Sequence, residues 1–182
     1  NDGFGSAVES LVACELPEGY VDNADDCNDI DSQINPWANE LCNDYIDNNC
    51  DGQIDEATAI DAATWYLDGD GDGYGALGST MLSCSQPSGY LSDSTDCDDG
   101  DAQQYPGATE YCNNEDDNCD GATDEASAAD ASTWYLDGDG DGFGDLGSTM
   151  LSCTQPSGYL SSSTDCDDGD AQQYPGATEY CN

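Results

Sequence analysis

Apolar residues in this chain come in short runs, separated by dense clusters of acids. Thr64-Trp65-Tyr66-Leu67 and Thr133-Trp134-Tyr135-Leu136 are rich in β-branched and aromatic residues, and each stops at an aspartate–glycine stretch. This pattern predicts short strands feeding a loop. Met81-Leu82-Ser83-Cys84 predicts a second strand that pairs with the first as a hairpin. Gln86-Pro87-Ser88-Gly89-Tyr90-Leu91 predicts a turn and a third short strand. Trp65, Tyr66, Leu67, Leu82, Tyr90, Leu91 and Tyr105 are the expected small core of a copy. The alanine-rich stretches 56–63 and 125–132 have no 3.6-residue period and read as either one helical turn or linkers. No run is long or apolar enough to span a membrane or to serve as a signal peptide.

The pattern repeats. Residues 64–112 return as 133–181 at an offset of 69, with Trp65 matching Trp134, Cys84 matching Cys153 and Cys97 matching Cys166. The opening stretch is a diverged copy at an offset of 70, with Cys14, Cys27 and Cys42 matching Cys84, Cys97 and Cys112. The copies divide the chain into 1–63, 64–132 and 133–182, the first starting inside an acidic loop and the last stopping before one. The expected fold is therefore a set of small, irregular, loop-rich tandem repeats of 69–70 residues, β-poor to all-β with very little helix.

Charge sharpens the picture. The chain has 41 acidic residues among 182 and no Lys, Arg or His, for a net charge of −41. Self-repulsion of this size opposes any compact state, and charge with hydropathy alone would predict disorder. Eleven cysteines argue otherwise. Disulfides and metals stabilise domains whose core is too small, and cysteine at this density implies an oxidising, extracellular or cell-surface setting. Cys-x2-Cys pairs and histidines are absent, which disfavours zinc. Sequence permits three pairings of four cysteines per copy. Short local loops around the acids favour neighbours: Cys14–Cys27, Cys42–Cys50, Cys84–Cys97, Cys112–Cys119 and Cys153–Cys166, leaving Cys181.

Each full copy carries three acidic loops. In the first, Asp68, Asp70 and Asp72 alternate with glycine and are followed by Tyr74; Asp137, Asp139, Asp141 and Phe143 repeat it. Packed carboxylates need a positive partner that this chain cannot supply. The spacing matches the first half of an EF-hand-type calcium loop, with side-chain oxygens at positions 1, 3 and 5, Gly at 6 and a carbonyl at 7. Position 12 is Ser79 rather than Glu, so a ligand must come from elsewhere. The second loop places Asp99, Asp101 and Glu110 at positions 1, 3 and 12, with Asp96 and Asp98 serving the same or a neighbouring ion. Its counterparts are Asp26, Asn28, Asp29, Asp31 and Glu40, and Asp165, Asp167, Asp168, Asp170 and Glu179. The third loop places Asp116, Asn118, Asp120 and Asp124 at positions 1, 3, 5 and 9, preserved as Asp47, Asn49, Asp51 and Asp55. Acid runs usually form a solvated face. Here they fall at ligand spacing, glycine falls where the loop must turn, and cysteines pin the loops. Oxygen-only donors select Ca²⁺ over copper, zinc or iron, at an expected two to three ions per repeat. Three ions would cancel 6 of the 16 negative charges in residues 65–133.

The ordered set DGDGDGYG, TDCDDGD, PGATEYC and DNCDGATDE resembles the metal-binding repeat of secreted bacterial proteins often called MopE-like. It is loosely similar to thrombospondin type 3 calcium repeats. The resemblance covers essentially the whole chain. It implies that Asp68, Asp70, Asp72, Asp96, Asp98, Asp99, Asp101, Glu110, Asp116, Asn118, Asp120 and Asp124 are metal ligands, and it implies a secreted or surface location, including repetitive fibres. One namesake of the family is associated with copper, but no His and only two Met are present here.

The leading functional expectation is an extracellular calcium-rigidified structural protein that self-associates into a stalk, fibre or filament. The alternatives are a calcium-dependent adhesin or binding module, for which Trp37 in place of a glycine reads first as a local packing change and second as an exposed anchor, and metal buffering. O-glycans have possible acceptors in 91–95 and 160–164. Nucleic acid is excluded because no cation meets its phosphates. Catalysis is not expected: the paired carboxylates are repeated and at metal spacing, with no His, Lys or activated nucleophile beside them.

Overall fold

The three predicted apolar runs of each copy form one small antiparallel sheet. The computed structural model describes residues 2–178. Strand β1 (Ala63–Leu67) lies between β2 (Thr80–Ser83) and β3 (Tyr90–Leu91); β4 (Ser132–Leu136) lies in the same way between β5 (Thr149–Ser152) and β6 (Tyr159–Leu160). Trp65 stands opposite Met81, and Tyr66 opposite both Thr80 and Leu91. The indole of Trp65 donates to the Ser83 carbonyl at 3.0 Å, and that of Trp134 to Ser152 at 3.0 Å. Each indole thus ties the central strand to its neighbour.

No helix occurs among the described residues. The alanine-rich stretches are successive turns: Ala59 N–H donates to the Glu56 carbonyl and Ala62 N–H to the Ala59 carbonyl, and Ala128 and Ala131 repeat this. The remainder is loop. No strand among the described residues exceeds 5 residues, so the fold is β-poor, as the short apolar runs lead one to expect.

The hydrophobic interior is thin. The buried apolar residues are Ile34, Ala59 and Ala128. Trp65, Tyr66, Leu67, Tyr90, Leu91 and Tyr105 are half-buried. Leu82, expected in the core, is 52 % exposed. It lies on an edge strand opposite Thr64, and no layer covers that face.

Two compact units are present, 1–94 and 95–182. They are out of phase with the sequence copies, which begin at the central strand. Each unit joins a second and a third acidic loop to the sheet that follows them in sequence. In the first, Ile60 N–H donates to the Glu40 carbonyl, and in the second Ala129 N–H donates to the Glu110 carbonyl.

The disulfides correct the neighbour pairing. Cys27 bonds Cys50, Cys42 bonds Cys84, Cys97 bonds Cys119 and Cys112 bonds Cys153. Cys14 and Cys166 are exposed free thiols in the structure, and Cys181 lies outside the described residues. The second cysteine of a copy therefore pairs with the fourth, and the third pairs with the first of the next copy. Backbone hydrogen bonds explain the choice. Tyr105 N–H donates to the Asp117 carbonyl and Gly107 N–H to that of Asn118, folding the third loop back on the second and bringing Cys119 to Cys97. The turns after Glu125 then carry Cys112 to the sheet, where Cys153 waits with its sulfur near the Glu125 carbonyl.

Candidate metal centres

The first loop is closed by the sheet itself. Leu67 N–H donates to the Ser79 carbonyl, and Ala76 N–H donates back to the Leu67 carbonyl. Asp68, Asp70 and Asp72 each turn the chain by accepting a backbone N–H within the loop, from Gly71, Asp72 and Tyr74. Gly71 and Gly73 take φ values of +87° and +100°, which side-chain-bearing residues avoid. The result gathers the carboxylates. One oxygen each of Asp68, Asp70 and Asp72 lies within 4.8 Å of the others, as does one each of Asp137, Asp139 and Asp141.

A fourth carboxylate, Asp165, lies beside the cluster in the second unit and its charge acts on Asp139. Asp165 N–H donates to the Gly144 carbonyl at 3.1 Å, which fixes the start of the second loop against the end of the first. Asp139 is pushed above the usual carboxylate range, first by burial and then by the charges of Asp141, Asp165 and Asp137, while the Asp141 N–H pulls it down. The Oδ2 atoms of Asp139, Asp141 and Asp165 are buried and accept no hydrogen bond. Gly144 permits this approach: a Cβ there would stand 2.5 Å from the Ser162 carbonyl and 2.7 Å from the Tyr135 Cβ. The ring of Phe143 stacks on Tyr174 at 5.5 Å, so the two loops also meet through aromatics. In the first unit Asp26 repeats the anchor, donating its N–H to the Gly5 carbonyl at 3.1 Å. Asp26 is 6 % exposed, and its buried Oδ2 accepts no hydrogen bond. Asp2 lies in the partial first loop beside it, accepting the Phe4 N–H.

Buried carboxylate oxygens without a donor are costly. These converge, they are all oxygen, and the chain holds no cationic side chain. A hard divalent cation fits that donor set.

The second loop is put to a different use. Glu110, expected as its terminal ligand, is 5 % exposed and points into the third loop. Its Oε2 accepts the N–H groups of Asp117 and Asn118 at 3.0 and 3.2 Å, and its Oε1 accepts that of Asp124 at 3.0 Å. Glu40, 2 % exposed, accepts the N–H groups of Asn48, Asn49 and Asp55. These glutamates are clips that shape the third loop. The remaining acids make local turns: Asp98 accepts from Gly100, Asp101 from Gln103, Asp31 from Gln33, Asp167 from Gly169 and Asp170 from Gln172. Asp168 accepts from Gly138 across the two loops. Asp29 borders a groove with Asp2, and Asn28 donates its N–H to Asp26. Asp99 is half-buried in the same turn, and Glu179 lies outside the described residues.

The third loop curls around a common centre. Asp116 accepts the N–H groups of Asp120 and Gly121, Asn118 accepts that of Asp120, and Asp120 accepts that of Ala122. Asp47, Asn49 and Asp51 repeat the pattern. Asp124 faces away and accepts the Asn114 N–H, as Asp55 accepts that of Asn43. The next residue takes the inward place. Glu125 Oε1 accepts the Asn118 amide at 3.0 Å and its buried Oε2 has no hydrogen-bond partner; Glu56 does the same with Asn49 at 3.1 Å. Sequence spacing missed both glutamates. The signal was the Asp-Glu pair that closes the loop in both copies.

The chain matches one family model, Cu-binding MopE, described as "Putative metal-binding motif", over residues 26–56, 96–125 and 165–182. No curated protein and no solved structure matches the chain. The matched segments hold the second and third loops and end, where complete, at Glu56 and Glu125. The glycine–aspartate loops and the sheets fall between them. The chain thus carries three matches to a MopE-like metal-binding motif, separated along the sequence by two small sheets among the described residues.

Proposed function

We propose that this is an extracellular calcium-binding structural protein whose ions stiffen a tandem array into a stalk or fibre. The observation that carries the reading is the cluster of Asp137, Asp139 and Asp141, with the charge of Asp165 acting on it and buried, donorless oxygens on Asp139, Asp141 and Asp165, in a chain without a cation. Two kinds of site follow. One takes Asp137, Asp139 and Asp141 with Asp165, the leading aspartate of the second loop in the same unit. The other takes Asp116, Asn118, Asp120 and Glu125, or Asp47, Asn49, Asp51 and Glu56. This makes about two ions per repeat, since the clip glutamates remove the independent second-loop site. Calcium tolerates six to eight oxygens in irregular geometry, whereas magnesium keeps its waters. The donor set holds no imidazole or free thiolate for copper.

The structural role draws on the disulfides, which join each third cysteine to the following copy and fit an oxidising compartment. No helix among the described residues is long and apolar enough to cross a membrane. Titration of the metal-stripped chain with Ca²⁺, Mg²⁺ and Cu²⁺ by calorimetry, with scattering before and after, tests the proposal. Saturable Ca²⁺ binding with a reduced radius of gyration is expected. Preference for Cu²⁺, or Ca²⁺ binding without compaction, would overturn the calcium and the stiffening parts respectively.

A further inference from the structure

The first copy departs from the others along much of its length, including around one groove. A groove of about 410 Å³ in the first unit is lined by nine residues, among them Ser32, Gln33, Asn35, Trp37, Asn39 and Ile60. None of the nine is acidic, although 41 of the 182 residues in the chain are. The corresponding stretches of the later copies, 101–112 and 170–181, are identical to each other. The first copy has instead replaced Ala102 by Ser32, Tyr105 by Asn35, Gly107 by Trp37, Thr109 by Asn39, Asp117 by Asn48 and Ala129 by Ile60. Leu41 likewise stands where the second copy has Tyr111, so within the groove the first copy gains amides, a hydroxyl and an indole beside two aliphatic side chains.

Trp37 is 82 % exposed, yet it is held. Its N–H donates to Asn35 Oδ1 at 3.0 Å, and the Asn35 amide donates to the Ser32 carbonyl at 3.1 Å. Its ring meets Phe4 edge-to-face at 4.8 Å and 88°. The contact orients the indole without covering it. The side-chain amides of Gln33 and Asn39 and the hydroxyl of Ser32 make no hydrogen bond among the described residues, and all three are exposed.

A fixed aromatic face flanked by uncommitted neutral donors and acceptors selects a particular chemistry. The π face carries partial negative charge and attracts the C–H face of a pyranose ring. Amides and a hydroxyl give and accept hydrogen bonds with sugar hydroxyls. An anionic glycan would meet the field of the whole chain, which is repulsive to it. We propose that the Trp37 groove binds a neutral oligosaccharide, with one ring on the indole and its hydroxyls held by Gln33, Asn39 and Ser32. None of the groups assigned to the sugar is among the ligands assigned to the ions.

The test uses the full calcium-loaded chain and three neutral probes: the linear hexasaccharides of β-1,4-glucose, β-1,4-N-acetylglucosamine and β-1,4-mannose. Indole N–H signals are followed by NMR and affinities by calorimetry. At least one probe is expected to shift the Trp37 signal alone, leaving Trp65 and Trp134 unmoved. Trp37→Gly restores the residue of the other copies and should weaken binding about tenfold or more, and Asn39→Thr should weaken it a few-fold, as losses of a central aromatic and a flanking donor do. Calcium stoichiometry should hold in both variants. Absence of any shift at millimolar probe overturns the proposal. So does binding that survives Trp37→Gly, and so does a change in the sedimentation of sugar-free protein on that substitution, which would make Trp37 a contact between chains.

Discussion

At the scale of single residues, two glutamates fifteen positions apart exchange the roles that spacing suggests for them. Glu110 sits at position 12 of a calcium template counted from Asp99, but the chain reverses at Pro106-Gly107 and turns its carboxylate onto three backbone N–H groups. Glu110→Gln replaces one accepting oxygen by an amide that faces a donor. The expected cost is about 2–3 kcal/mol, seen as a fall of roughly 5–10 °C in the melting temperature of a chain this long. The number of bound ions should not change; loss of an ion would return Glu110 to the ligand set. Glu125 lies at position 10, where the template has no ligand, and its Oε2 is buried beside Asn118 without a donor. Glu125→Gln should remove one ion, whereas Asp124→Asn should keep it and only loosen the contact with Asn114. Native mass spectrometry of the two variants separates these outcomes. The template was legible because positions 1, 3 and 5 are local. The terminal ligand was not, because it depends on which way the loop closes in space.

At the scale of elements, the sheets were readable and the cysteine pairing was not. Strands of two to five residues were evident from their β-branched and aromatic runs, because period and composition act locally. The pairing depended on the second and third loops folding against each other, which Glu40 and Glu110 enforce from a distance along the chain. The sheet meets the loops at Gly75 and Gly144. Gly75 has the Asp93 carbonyl 2.6 Å and the Tyr66 Cβ 2.8 Å from where its own Cβ would stand. Gly144→Ala should cost about 1–3 kcal/mol through overpacking and should lower calcium affinity as well, since it separates Asp165 from the first loop. Gly78 has open space around it and needs no positive φ, so Gly78→Ala should lie within about 0.5 kcal/mol of the parent. Thermal melts with and without calcium compare the two. Equal melts for both variants would deny that Gly144 sets the loop spacing.

At the scale of the whole molecule, a net charge of −41 and three buried apolar side chains among the described residues leave little to hold the chain together except cross-links and the proposed ions. The cross-links act largely on the unfolded chain. Loops of 22 and 23 residues and of 41 and 42 residues correspond to between about 3 and 4 kcal/mol each in the chain-entropy model. On the proposed calcium binding, the ions act on the folded chain by neutralising carboxylates that the fold has brought together. Because the two act on different states, removing one leaves the other in force. Chelator alone should leave a disulfide-bonded but expanded chain. Reductant alone, in saturating calcium, should leave the loops closed around their ions. The indole bonds of Trp65 and Trp134 to Ser83 and Ser152 report on the sheets, so tryptophan fluorescence follows folding where circular dichroism of so few strands is weak. Chelator and reductant together should move both indoles fully into water. Sheets that persist after both treatments would show that the thin apolar layer suffices by itself, and the account of stability by staples and ions would fail.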